Sequence, residues 1–144
     1  MKRPAMQPGR FVETFGRLHL AENLHDAGYS CAEPLIDIGV DLIAFKDGRY
    51  RTLQLKAATN ERFGLERKYE GRVDVMVYVF HARSAKPEIY AMTYAEAEAI
   101  LEARGHTKSA SWEKKGYSLR PGPEVKASLA QYLATPARWR ELLA

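Results

Sequence analysis

Residues 40–56, VDLIAFKDGRYRTLQLK, contain two short runs rich in β-branched, aromatic and leucine side chains, separated by Asp47-Gly48. Both separating residues tolerate the positive φ angles of a type I′ turn, so the pattern predicts a two-residue β-hairpin. With this loop, Lys46 lies opposite Arg49, and the register of the whole hairpin follows from that pair.

The register brings polar groups together at the open end of an otherwise apolar hairpin. Counting back from the turn places Asp41 opposite Gln54, and Lys56 lies two residues further along the same face. One interpretation is a partly solvated salt bridge, since charge pairs of this kind are often merely structural. The other is a divalent-metal site, with oxygen ligands from Asp41, Gln54 and the Leu55 backbone carbonyl that suit Mg²⁺. Lys56 would then contact the attacking water or the phosphate.

The remaining elements are expected on both sides of this hairpin. Its other face, with Val40, Leu42 and Leu53 among its members, is apolar and predicts packing on a helix. Helical periodicity over residues 9–27 ends at Gly28. Further on we expect a loop or short helix over residues 58–72, a strand buried on both faces over 73–82 and a shorter strand over 88–92. A helix with a capping box follows over residues 93–104, then an ambiguous segment over 107–119 and two short helices within 121–144.

Composition excludes several classes of protein. The chain has 144 residues, a net charge of +4 and one cysteine, so we expect a single domain over residues 1–144 that needs no disulfide. Residues 1–8 are expected to form a flexible tail, and residues 121–144 a C-terminal helical extension. No apolar run follows the basic start or is long enough to span a membrane, which favours a cytoplasmic protein without a membrane partner. The four histidines are scattered, and no Cys/His spacing predicts a zinc site.

The motif GVDLIAF–KDG–YRTLQLK resembles the core of the PD-(D/E)XK nuclease superfamily, in its variant with Gln in place of the second acid. The nearest branch is the small endonucleases associated with group I introns, and the resemblance runs from about residue 9 to residue 92. It implies a restriction-endonuclease-like α/β (α+β) fold, with an αβββαβ core, a central mixed sheet flanked by helices, and extra C-terminal helices. It also implies that Asp41 is the metal aspartate, that Gln54 replaces the usual acid, and that Lys56 is the catalytic lysine, with Mg²⁺ or Mn²⁺ as cofactor.

The resemblance further implies a glutamate on the first helix, pointing into the site. The position expected for it, about three turns before the helix-ending glycine, holds Arg17. Glu13 lies one turn earlier on the same helical face, so we favour Glu13 as a catalytic residue and keep Glu22 as the alternative. A solvated charge is the ordinary state of either glutamate.

A basic stretch follows the predicted catalytic strand, in a region that lies near the substrate in this fold. Its cations alternate with glutamates, so it is either a phosphate-contacting surface or an ordinary solvated loop. The candidate nucleic-acid-binding residues are Arg62, Arg67, Lys68 and Arg72, together with Arg17.

These features predict a Mg²⁺-dependent DNA endonuclease that hydrolyses phosphodiester bonds with a metal-activated water. A chain of this size has limited room to read a specific duplex, so we expect a homodimer or homotetramer. The alternative is a nucleic-acid-binding or assembly module that keeps the nuclease fold without cleaving, which Arg17 at the acid position favours. An enzyme acting on a small phosphorylated ligand is a weaker third possibility, since the chain has no glycine-rich phosphate loop.

Overall fold

A computed structural model describes residues 8–36 and 38–144. In chain order, the helices and strands of this part are α1 (Pro8–Asp26), β1 (Ser30–Ala32), β2 (Leu42–Lys46), β3 (Arg49–Ala57), β4 (Phe63–Glu66), β5 (Val75–Phe80), β6 (Glu88–Met92), α2 (Tyr94–Ala103), α3 (Ala110–Lys114), β7 (Gly116–Leu119), α4 (Pro123–Leu129) and α5 (Pro136–Leu142).

The β2–β3 hairpin has the turn and the register that the sequence predicts. Asp47 and Gly48 adopt φ angles of 52° and 77°, the positive values that a type I′ turn requires. Lys46 lies opposite Arg49, and the antiparallel pairing continues from there to the start of β2. The prediction of the hairpin is therefore confirmed, although β2 begins only at Leu42.

The hairpin belongs to a mixed five-stranded sheet with the order β1-β2-β3-β5-β6. Strands β3 and β5 are parallel, and the other neighbouring pairs are antiparallel. Every residue of β5 is buried, as its nearly continuous apolar sequence predicts. The short edge strand β1 pairs with β2 and was not expected from the sequence.

Strands β4 and β7 form a separate two-stranded antiparallel sheet. Residues 58–72 were expected to be a loop or a short helix; they contain β4 followed by a 3-10 helix over Arg67–Tyr69. Phe63 and Leu65 of β4 are buried in the protein interior, and the alternate residues Gly64 and Glu66 are partly exposed. The apolar pattern of β4 is short and interrupted by a glycine, so the sequence did not predict this strand. The tertiary contacts of its two buried side chains explain why it forms.

Two apolar layers cover the two faces of the main sheet. One contains Leu42 and Leu53 of the hairpin, together with Leu24 of α1 and Trp139 of α5. The other contains the alternate side chains of β5 and β6, packed against α2 and β4. Val40, which was expected on the first face, packs instead against the second layer, because it precedes β2 and does not share its alternation.

Helices α2 and α5 begin where the sequence predicts, whereas α3 lies within residues 107–119, which the sequence left ambiguous. Thr93 accepts a hydrogen bond from the Glu96 backbone and Glu96 returns one to the Thr93 backbone, which completes the capping box of α2. Thr135 caps α5 with its hydroxyl group, which accepts a hydrogen bond from the Arg138 backbone N–H. The expected tail over residues 1–8 lies outside the described residues, apart from Pro8, at which α1 begins. Among the described helices, none has the length and apolarity needed to cross a membrane.

Candidate functional site

Asp41 and Gln54 meet at the open end of the hairpin. The Asp41 Oδ2 atom accepts a hydrogen bond of 2.8 Å from Gln54 Nε2 and one of 2.9 Å from the Leu55 backbone N–H. Gln54 is buried, with 8% of its surface exposed. Since the N–H and C=O groups of one residue point to the same side of a strand, the Leu55 carbonyl also faces the Asp41 side of β3. The structure thus brings together three of the groups that the sequence placed here.

The Arg17 side chain reaches this point from α1. Its guanidinium lies 3.8 Å from Asp41 Oδ1 and 3.9 Å from Glu33 Oε1. The Arg17 Nε atom is buried and makes no hydrogen bond with any residue that the structure describes. Glu13 and Glu22 are exposed, and neither forms an ion pair within the described ranges. The charge that α1 brings to Asp41 is therefore positive, and the assignment of Glu13 as a catalytic residue stays a prediction.

Lys56 lies on the same face of β3 as Gln54, and its ammonium group is held by a glutamate. Lys56 Nζ lies 3.2 Å from Glu66 Oε1, and Lys68 Nζ lies 3.2 Å from the other oxygen of the same carboxylate. Both ammonium groups also lie over the Tyr69 ring, at 5.2 and 5.1 Å from its centroid. Burial alone raises the pKa of Glu66, but the two lysines outweigh it and hold the pKa below its ordinary value. Glu66 is thus a charged member of this site.

Sequence reasoning missed Glu66 as a partner of Lys56. It is one of several glutamates alternating with cations after β3, and nothing in its spacing distinguishes it from Glu61 or Glu70. The signal that would have identified it is the β4 strand, because strand geometry places Glu66 on the outward face opposite the buried Leu65.

The four cations of the basic stretch lie in two different parts of the structure. Lys68 and Arg72 line a cleft of about 340 Å³ that also contains Asp41, Gln54 and Tyr69. The cleft thus places two of the candidate cations beside the carboxylate and the amide.

The other two cations of the stretch lie elsewhere. Arg62 donates a 3.1 Å hydrogen bond to Ser118 Oγ of β7. Arg67 stacks over the Trp112 ring at 5.8 Å and donates to the Glu113 carbonyl oxygen. Arg67 therefore has a packing role, in contrast to Lys68 and Arg72.

A second group of possible metal ligands was not expected from the sequence. Glu61, His81 and Glu88 each offer one ligand atom, and these three atoms lie within 4.8 Å of one another. Lys126 of α4 also enters this group, because its ammonium group bonds to both Glu61 and Glu88. The hydrogen bond to Glu61 is the main reason that the pKa of Lys126 lies above its ordinary value. The ammonium group of Lys126 therefore already neutralises part of the negative charge that would attract a metal ion.

The mixed five-stranded sheet with helices packed on both of its faces is an α+β fold. A similar solved structure is that of a bacterial homing endonuclease, I-Ssp6803I, with a TM-score of 0.55 and 12% sequence identity, covering 96% of this chain and 93% of that chain. No family model and no curated protein matches the sequence. The likeness at this level of identity shows the fold alone.

Proposed function

We propose that the protein is a metal-dependent DNA endonuclease of the PD-(D/E)XK type, in which Gln54 replaces the usual second acid. The observation that carries this proposal is the hydrogen-bonded pair of Asp41 and Gln54 beside Lys56, at the edge of a cleft that also contains Lys68 and Arg72. The fold shared with a bacterial homing endonuclease supports the same reaction. A phosphodiester substrate fits a cleft in which cations surround one carboxylate.

The groups present fit a hard divalent cation, Mg²⁺ or Mn²⁺. Asp41 offers carboxylate oxygens, Gln54 an amide oxygen and Leu55 a backbone carbonyl, and one carboxylate suits an ion that keeps several of its waters and also binds substrate phosphate. In the structure Gln54 turns its amide nitrogen to Asp41, so its amide group would have to turn over to place its oxygen on an ion bound there. Such an ion supplies a water of lowered pKa and neutralises charge on the phosphate. The cluster of Glu61, His81 and Glu88 fits less well, because Lys126 already bonds to both of its carboxylates.

The chain's own side chains have separate roles in this reaction. Lys56 stabilises negative charge on the attacked phosphate, and Glu66 holds its ammonium group in place. Lys68 and Arg72 of the cleft contact phosphates on the strand, and Arg17 beside Asp41 and Arg62 in the neighbouring cleft contact phosphates further along it. Arg67, which packs on Trp112, is left out of this set. Glu13 is assigned as a fourth catalytic residue on the resemblance alone.

A duplex target favours an assembly of two or four copies, since a homodimer or homotetramer presents two sites to the two strands of DNA. A DNA substrate is also consistent with the cytoplasmic location expected from the sequence.

The alternative is a nucleic-acid-binding module that does not cleave. The position of Arg17 favours it, because a guanidinium 3.8 Å from Asp41 opposes the binding of a cation there. Such a module would bind DNA through the same cations without hydrolysing it.

Incubation of supercoiled plasmid with the protein and Mg²⁺ or Mn²⁺ separates the two functions. We expect the wild type to nick the plasmid, Lys56→Ala and Asp41→Ala to nick it at least about 100-fold more slowly, and all three to retard DNA on a gel. A wild type that retards DNA but leaves it intact would establish the binding module. Equal nicking by all three proteins would show that the activity comes from elsewhere and would refute the assigned site.

A further inference from the structure

A second cleft, of about 420 Å³, lies beside Lys56, between the end of β3 and the β4–β7 sheet. Ala57 and Ala58 continue its wall from β3, and Lys115 closes it at the end of α3. The cleft therefore adjoins the proposed catalytic lysine, yet it does not share Asp41 or Gln54 with the first cleft.

The cleft is open because the β4–β7 sheet presents small residues on this side. Gly64 pairs with Ser118, and Glu66 pairs with Gly116, while the alternate residues of β4 are buried. A side chain at Gly116 would collide with the Leu65 carbonyl group, so only glycine fits at that position. That collision reflects the close packing of β7 on β4. Gly64, Gly116 and Ser118, which have little or no side chain, also line the cleft, so a ligand can approach the backbone there.

The cleft carries an excess of positive charge. Lys56, Arg62 and Lys115 line it, and the carboxylate among its lining residues, Glu66, is already bonded to lysines. Neither Arg62 nor Lys115 forms an ion pair with any residue in the described ranges. The Arg62 guanidinium is held by its bond to Ser118 and keeps further donors available. These groups favour an anionic ligand.

Other parts of the lining are apolar or aromatic. Ala57 and Ala58 contribute methyl groups, and the Tyr117 ring is fixed by stacking on His106, with a centroid separation of 4.2 Å and an interplanar angle of 16°. A volume of 420 Å³ lies within the range of about 300–1,000 Å³ that small-ligand sites occupy. A bare phosphate would leave the apolar wall without a contact, whereas a nucleotide offers both an anionic phosphate and an apolar base.

We propose that this cleft binds one unpaired nucleotide of the strand that is cut, with its phosphate on Arg62 and Lys115 and its base against Ala58 and Tyr117. A base that is paired and stacked in a duplex must leave the stack before it enters a cleft of this size. The proposal rests on the proposed nuclease function and adds a substrate class to it, namely DNA with an extruded or unpaired nucleotide next to the scissile phosphate.

Binding of two DNAs of the same sequence tests this, one fully paired and one with a single-nucleotide bulge, measured by fluorescence anisotropy with EDTA present. We expect the wild type to prefer the bulged DNA by about 5- to 10-fold, which corresponds to about 1–1.4 kcal/mol and to the lower part of the range for one base stacked on an aromatic side chain. Lys115→Ala, which removes a cation, and Ser118→Tyr, which fills the cleft at an exposed position, should both abolish the preference. Lys114→Ala removes the neighbouring exposed lysine, which does not line the cleft, and should keep the preference.

The outcomes separate this proposal from the nuclease function. Loss of the preference in both cleft variants, with thermal unfolding unchanged and Lys114→Ala unaffected, supports the proposal. DNA binding without a preference for the bulge, or cleft variants that keep the preference, overturns the proposal and leaves the nuclease function standing. A wild type that binds neither DNA in this assay, and that leaves supercoiled plasmid intact with Mg²⁺ or Mn²⁺, overturns both.

Discussion

Replacing Arg17 with methionine should strengthen the binding of a divalent cation to Asp41. In the structure the Arg17 guanidinium lies 3.8 Å from Asp41 Oδ1 and also faces Glu33. Methionine keeps an unbranched apolar side chain and removes the guanidinium group with its positive charge. Because the Arg17 and Asp41 side chains are both partly exposed, we expect the substitution to change the free energy of unfolding by less than about 1 kcal/mol.

The expected gain in metal affinity follows from the same distance. Two unit charges about 4 Å apart interact by about 1 kcal/mol in bulk water. For a doubly charged ion bound by that carboxylate, the repulsion that Arg17 exerts is about 2 kcal/mol at the same separation, and salt screening reduces it. Since 1.4 kcal/mol corresponds to a factor of ten, we expect Mn²⁺ to bind Arg17→Met about 10-fold more tightly than the wild type.

Isothermal titration of Mn²⁺ into the protein without DNA measures this directly, because phosphate contacts of Arg17 then play no part. Arg140→Met is the matched control: Arg140 is exposed on α5 and forms no ion pair with any described residue. The control should bind Mn²⁺ as the wild type does. An affinity in Arg17→Met that equals or falls below that of the wild type would show that the ion does not bind beside Asp41.

Two further predictions concern stability. Gly48→Ala should lower the free energy of unfolding in urea by about 1–2 kcal/mol, because the φ angle of 77° is unfavourable for alanine although its Cβ would meet no atom within 4 Å; an unchanged midpoint would contradict this account of the turn. The hydrogen bond from Lys126 is the main cause that holds the pKa of Glu61 below its ordinary value of 4.5. The interaction therefore contributes stability that is fully present above pH 4.5 and is lost as the pH falls through the lower pKa of Glu61 in the folded state. Wild type and Lys126→Met should therefore differ most in unfolding free energy near neutral pH and converge in acid, and a difference that does not change with pH would contradict the assignment.

Local signals in the sequence were sufficient for the centre of the fold. Asp47-Gly48 determines the turn, and the alternation of side chains on each side then determines which groups meet at Asp41 and Gln54. The capping residue Thr93 and the fully apolar β5 are likewise local signals, which is why α2 and β5 were predicted.

Elements that depend on distant segments were not predictable in the same way. The β4–β7 sheet joins residues about fifty positions apart, and each strand has few apolar residues and includes a glycine. The cluster of Glu61, His81, Glu88 and Lys126 likewise draws on separate segments of the chain, so no spacing in the sequence indicates it. Recognition of Glu66 as the partner of Lys56 depended on β4 as well.

In the proposed mechanism, catalysis depends on a metal ion at Asp41. The most direct test compares the Mg²⁺-dependent nicking rates of Asp41→Asn and Glu61→Gln with that of the wild type. Asp41→Asn keeps the shape of the side chain and removes the carboxylate that bonds to Gln54, whereas Glu61→Gln alters the other possible group of ligands. We predict that Asp41→Asn slows nicking at least about 100-fold and that Glu61→Gln nicks at the wild-type rate. Nicking by Asp41→Asn at the wild-type rate, or its loss in Glu61→Gln alone, would contradict the account.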